Sequence, residues 1–276
     1  MVCGAARLWD ARRVAGVLLR FAWIQATSCV FAIALFAGIA VTSVVQLPIP
    51  RYDALLGYVV LLTITFWVLG WESGREIAVI AAFHVLGLAL ELFKVRMGSW
   101  SYPGEAWTKV GGVPLYAGFM YAAVGSYICQ AWRRFDLRVT GYPAIAATVL
   151  AFAIYANFFT HHFVPDVRWL LAAAVLLVLR RSWIYFTVGI DRFRMPLALS
   201  FVLIGLFLWF AENAGTYLGV WAYPDQLDVW QLVHFGKFGS WSLLVSLSFV
   251  LVSTVKATEG RLYGERGGEA SVQGKR

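Results

Sequence analysis

Two glutamates sit at matched positions inside long apolar runs, and no other feature constrains this chain as strongly. Glu91, Gly98, Trp100, Tyr102 and Pro103 read E-x6-G-x-W-x-Y-P, and Glu212, Gly219, Trp221, Tyr223 and Pro224 repeat the pattern at the same spacing. A carboxylate in a segment that crosses a bilayer is costly and is kept where it pairs or works. Any fold for this chain must therefore give both acids partners.

The apolar runs dominate the composition. The chain is 61% hydrophobic and 14% charged over 276 residues, with a mean hydropathy of +0.71. Soluble domains carry about a quarter charged residues, so a polytopic membrane protein is expected. Its 13 Trp and 12 Tyr suit the headgroup level of a bilayer. The net charge of +8 is not gathered in a separate basic domain, so a nucleic-acid partner is not expected. Cys3, Cys29 and Cys129 lack metal-ligand spacing and read as small packing residues without a disulfide framework. The run after Arg7, Arg12 and Arg13 is too long for a signal peptide and reads as a first span.

Runs of roughly 20 apolar residues predict transmembrane helices. Eight are expected, near 17–46, 52–71, 76–97, 113–132, 143–160, 168–188, 196–218 and 235–256. The expected fold is an all-α integral membrane protein of the bacterial inner membrane. Its parts are a cytoplasmic arm (1–16), one membrane domain (17–258) and a disordered cytoplasmic tail (259–276). With both termini cytoplasmic, 17 of the 23 Lys and Arg fall on the inner side. The two copies of the pattern lie 121 residues apart, which predicts a parallel 4+4 repeat, about 17–132 and 143–256. Gly118 matches Gly239 in that alignment.

Glu91 and Glu212 fall in the outer half of their spans and are the candidate catalytic acids, with His161 and Lys237 beside them in one expected chamber. His84, Glu91 and Lys94 share a helical face, as do Asn157 and His161. Trp100, Tyr102, Trp221 and Tyr223 can offer electron-rich faces to a cation. With His84, Asn157, Asn213 and Tyr116 they are the candidate substrate-binding residues. A carboxyl group in such a chamber can act as a general acid. The blander alternative is structural: Glu91 pairs with Lys94 or Lys237, and the Trp-Tyr-Pro turns anchor at the interface. His161, His162 and Asp166 lack the spacing of a metal site, so neither metal nor cofactor is expected. Glu72, Arg75 and Glu76 read as local pairs at helix ends, and Asp191, Arg192 and Arg194 as a solvated loop.

The stretches 71–103 (WESGREIAVIAAFHVLGLALELFKVRMGSWSYP) and 210–253 (FAENAGTYLGVWAYPDQLDVWQLVHFGKFGSWSLLVSLSFVLVS) resemble a bacterial membrane family known as domain of unknown function 817. That resemblance implies a multi-span membrane protein and no particular activity. Residues 98–119, preceded by Glu91, also resemble the carotenoid hydratases of the bacterioruberin pathway and the small membrane lycopene cyclases. Glu91, Gly98, Trp100, Tyr102, Gly112, Val113 and Pro114 match that outline, but Leu115 and Tyr116 stand where the cyclases carry paired acids. This second resemblance implies acid-initiated addition or cyclisation at an isoprenoid double bond. Three readings remain open: such an enzyme on a long apolar substrate, a proton-coupled transporter of a small solute, and a non-catalytic lipid-binding or structural protein. The expected partners are membrane lipids and an apolar or small-molecule ligand.

Overall fold

The computed structural model describes residues 11–263. Cys3, most of the expected arm and residues 264–276 of the expected tail lie outside the described residues. The chain is mostly helical. Four helices are long and apolar enough to cross a membrane: α3 (Arg51–Val68), α4 (Gly74–Arg96), α8 (Leu197–Tyr217) and α9 (Gly236–Thr258). A fifth span is possible by length if α1 (Ala11–Ser28) and α2 (Val30–Val44) count as one bent unit. Large apolar side chains such as Leu61, Val149 and Phe207 remain exposed, as lipid-facing helices require.

Against the eight spans expected from hydropathy, four helices, or five with the bent pair, have spanning length and composition among the described residues. The first run breaks at Cys29, where two helices meet at 64°. Thr27 donates its hydroxyl to the carbonyls of Trp23 and Ile24, and Ser28 to that of Ile24, in the turn just before the break. The fourth run opens as a small ribbon, β1 (Lys109–Val110) with β2 (Val113–Pro114), and only then becomes α5 (Gly118–Arg134). Strand β3 (Arg138–Thr140) follows, then α6 (Ala144–Thr160), 17 residues long, and α7 (Arg168–Val178), only 11.

The rest of the sixth run is a strand, which corrects the all-α expectation. β4 (Trp183–Val188) and β5 (Asp191–Pro196) form a hairpin, and β3 pairs with β4. The segment W-I-Y-F-T-V is β-branched and aromatic, and Gly189 at φ +65° supplies the first position of a two-residue turn. Asp191, Arg192 and Arg194 are thus strand residues rather than a loop. Arg192 and Arg194 stack over Tyr185 and Trp183, and Asp191 accepts a 2.8 Å bond from Arg13. Residues 260–263 also have structure: Leu262 is buried and accepts a bond from the Val139 amide. Cys29 and Cys129 are free.

The two long helices that carry the glutamates end alike. α4 closes at Gly98 (φ +68°) and α8 at Gly219 (φ +65°). The amides of Ser99 and Val220 reach back to the carbonyls of Lys94 and Gly215, while Gly98 and Gly219 bond those of Val95 and Thr216. This double bond is the usual glycine-terminated helix stop. It turns each Trp-Tyr-Pro segment back over its own helix. The two segments then meet: Ser101 and Ala222 exchange both backbone bonds, each 2.9 Å, as an antiparallel bridge. Those two residues occupy the same place in the two copies of the pattern.

No atom crowds a side chain at Gly98 or Gly219, so the left-handed backbone alone disfavours substitution. Gly98→Val and Gly219→Val are expected to lower stability by about 1–2 kcal/mol each, read as thermal unfolding in detergent. Asn, which tolerates this conformation, should cost less.

A candidate site built on two buried carboxylates

Glu91 and Glu212 are 3% and 4% exposed, yet neither forms an ion pair among the described residues. Aromatic donors satisfy them instead. Glu91 Oε2 accepts from Trp100 Nε1 (2.6 Å) and Tyr102 OH (2.9 Å), and its Oε1 accepts from Tyr121 OH (2.8 Å). Glu212 Oε1 accepts from Tyr223 OH and its Oε2 from Trp241 Nε1 (2.5 Å). Tyr102 and Tyr223 are equivalent in the two copies, each bonding the glutamate 11 residues before it.

The donors also join the two acids. The Trp100 ring meets the Tyr223 ring edge-on at 6.1 Å, and the Tyr121 ring meets Trp241 at 6.1 Å. Each contact links a Glu91 donor to a Glu212 donor. Lys237 Nζ lies over Tyr223 (4.2 Å) and Trp100 (5.3 Å), so its charge rests on rings from both copies. Burial, and then the adjacent glutamates, push the phenols of Tyr102 and Tyr223 well above their ordinary range. Both remain donors at any working pH.

The other expected members stand elsewhere. Lys94 bonds the Nε2 atoms of His161 (3.3 Å) and His162 (3.0 Å) rather than Glu91. His161 Nδ1 faces the Asn157 carbonyl at 3.0 Å, which leaves Nε2 free to accept from the ammonium. The Asn157 side chain holds Asp166 and the Val167 amide, and Asn213 holds Trp209 and the Val233 amide. Both asparagines are loop braces. His84 packs on Phe119, and Tyr116 is fully buried against Tyr52. Trp221 packs on Gly215 without bonding Glu212, and Trp241 takes that role. His161, His84, Asn157, Asn213 and Tyr116 are thus not among the hydrogen-bond donors to the two glutamates.

Tyr121 and Trp241 were not among the residues singled out by sequence, although each closely follows a matched glycine, Gly118 or Gly239. Tyr121 packs so closely on α4 that a Cβ at Gly87 would lie 2.5 Å from its ring. Both aromatics also line a cavity of about 40 Å³ between α4, α5, α6, α8 and α9. Its other walls include Phe83, Leu90, Leu208, Val245 and Leu251, and Glu91 and Glu212 do not reach it. An expected chamber open to both acids is thus replaced by closed carboxylates behind an aromatic wall. The chemistry within reach of the cavity is apolar contact and a few aromatic edges.

Tyr121→Phe and Trp241→Phe each remove one donor from a dry carboxylate, which is expected to cost about 1–3 kcal/mol. The pair should deviate from additivity by at least about 0.5 kcal/mol, measured by a double-mutant cycle on thermal unfolding. The histidines give a pH dependence. Burial first, and then the Lys94 ammonium, hold His161 and His162 below the ordinary imidazole range. At these two histidines the unfolded chain binds more protons near pH 6, so their contribution to stability is complete above about pH 6.5 and is lost as acid is added. Melting curves between about pH 5 and 8 should show that fall, and His161→Gln with His162→Gln should flatten it.

Comparison with known proteins follows the same outline. A family model described as "Protein of unknown function (DUF817)" matches residues 17–249. The "Uncharacterized protein YoaT" of Bacillus subtilis (strain 168) is 53% identical over 241 residues, covering 87% of this chain and 91% of that protein. Among solved structures, a cross-linked MvINS trimer matches 67% of this chain and 97% of its own, with a TM-score of 0.46 and 20% identity. The matched span of the family model and the close Bacillus relative make this chain a member of the DUF817 family.

Proposed function

We propose that this protein binds a long apolar, lipid-like molecule within the membrane. The reading rests on the cavity that ends on Tyr121 and Trp241, which at about 40 Å³ takes the tip of an apolar chain while the rest of the molecule lies along the outside of the bundle. Its walls are almost wholly hydrocarbon, and an apolar cavity stays dry and accepts apolar occupants. Leu86, Tyr155, Leu244 and Ser248 at its margin are only half-buried, which favours access from the side of the bundle. Glu91 and Glu212 then act as fixed posts. They hold the two aromatic rings that form the end wall.

Acid-initiated chemistry on an isoprenoid has less support. Indole and phenol donors engage both oxygens of each glutamate, so a proton would have to pass through Tyr121 to reach the cavity. The matched turns that pair at Ser101 and Ala222 favour an origin by tandem doubling. The distribution of Lys and Arg favours an inner-membrane orientation with the Glu91 and Glu212 end outermost.

Native mass spectrometry of the detergent-purified chain tests the reading. The wild type should carry an apolar adduct, and Ser248→Val, which narrows the cavity by about its own volume, should lose it while staying folded by its melting curve. An adduct that persists in Ser248→Val, or a wild type with none, would sink the proposal. If Glu91→Gln accumulated an adduct of different mass from the wild type, catalysis rather than binding would be indicated.

A further inference from the structure

A second set of buried charges lies at the other end of the bundle, about 22 Å along α4 from Glu91. Glu76 accepts from the Ser73 amide (2.9 Å) in a capping box. It also pairs with Lys256 (3.1 Å) and Arg133 (3.5 Å). Lys256, 1% exposed, bonds Glu259 as well (3.1 Å), and Arg261 stands 4.0 Å from that acid. These are tertiary contacts across 180 residues rather than the local pairs expected at helix ends.

Glu72 sits among them without a cation. It is 1% exposed. One oxygen accepts from Ser126 Oγ (2.6 Å), while Oε2 is buried with no hydrogen-bond partner. Arg133 and Gln130 approach from α5, but both donate to the Trp71 carbonyl. The titratable neighbours are Glu76 on α4 and Cys129 and Arg133 on α5; Lys256 on α9 reaches Glu76, and Glu259, just past the end of α9, is held by Lys256. Glu76 and Glu259 already take up the available positive charge.

We propose that Glu72 is a proton-binding site, a carboxylic acid that keeps its proton in the folded chain at neutral pH. A neutral acid removes the need for a cation that the fold does not supply. The geometry agrees with the balance of influences on this group. Burial is the largest and raises its affinity for a proton, the Ser126 and Gln130 contacts oppose it, the Glu76 carboxylate adds to it, and the Arg133 guanidinium, the smallest influence, opposes it. The site is separate from the cavity and from Glu91 and Glu212.

Two measurements on the full chain in detergent test the assignment. Dicyclohexylcarbodiimide adds to protonated carboxyls in apolar surroundings: the carboxyl oxygen bonds to the central carbon while the acid proton passes to a nitrogen. Peptide mapping should find this adduct on Glu72 and not on the ion-paired Glu76. Glu72→Gln mimics the neutral acid. The folded chain holds this proton more tightly than the unfolded chain, so the wild type loses stability as pH rises above the ordinary carboxyl range. Glu72→Gln should therefore melt with the wild type near about pH 4.5 and about 2–4 °C above it near about pH 8. Label on Glu76 but not Glu72, or parallel melting curves across that range, would overturn the assignment. If Glu72→Gln does not fold, the labelling of the wild type decides alone.

Discussion

Carboxylates in a dry interior must be answered by donors, and the architecture around Glu91 and Glu212 is the answer. A buried acceptor left unmade costs about 1–3 kcal/mol, and a buried unpaired charge costs more. The chain meets this with indoles and phenols rather than with lysines or arginines. Aromatic donors suit the place, because each brings a hydrogen bond and a large apolar body in one side chain. The same residues that satisfy the acids thus also pack the outer layer of the core.

This requirement explains why the chain doubles back after α4 and α8. The glycine stops at Gly98 and Gly219 reverse the backbone, so Tyr102 and Tyr223 return to the glutamates of their own helices. The returning segments bridge at Ser101 and Ala222, and the rings interlock across the joint. The acids, the turns and the contact between the two segments are thus physically joined. At the other end of the bundle the solution differs. Glu76 and Lys256 form a fully buried ion pair, while Glu72 takes a hydroxyl donor from Ser126 and forms no ion pair among the described residues. The pH responses proposed for the two ends therefore rest on different groups, histidines beside Lys94 at one and the Glu72 carboxyl at the other.

The fixed spacing from glutamate to tyrosine was legible in the repeat, but the rings read as faces for a cation and the acids as partners of lysines, and only packing shows the phenols bonding the acids. The long apolar helices were equally legible. The break at Cys29 was not, since it falls inside an apolar run. Nor was the β4–β5 hairpin, whose W-I-Y-F-T-V strand is as apolar as a helix would be. Lys94 shares a face with Glu91, and only packing against α6 shows that the histidines take it.

Sequence alone determined that two acids had to be buried and that each had a tryptophan and a tyrosine at a fixed distance, because those are local facts of spacing and hydropathy. Tertiary structure decided which rings bind which oxygen, that Tyr121 and Trp241 complete the set, and that the acids are closed off from the cavity. Those outcomes depend on how helices distant in the chain approach one another. Side-chain periodicity fixes a residue's face, but the neighbour it meets is set only when the helices pack.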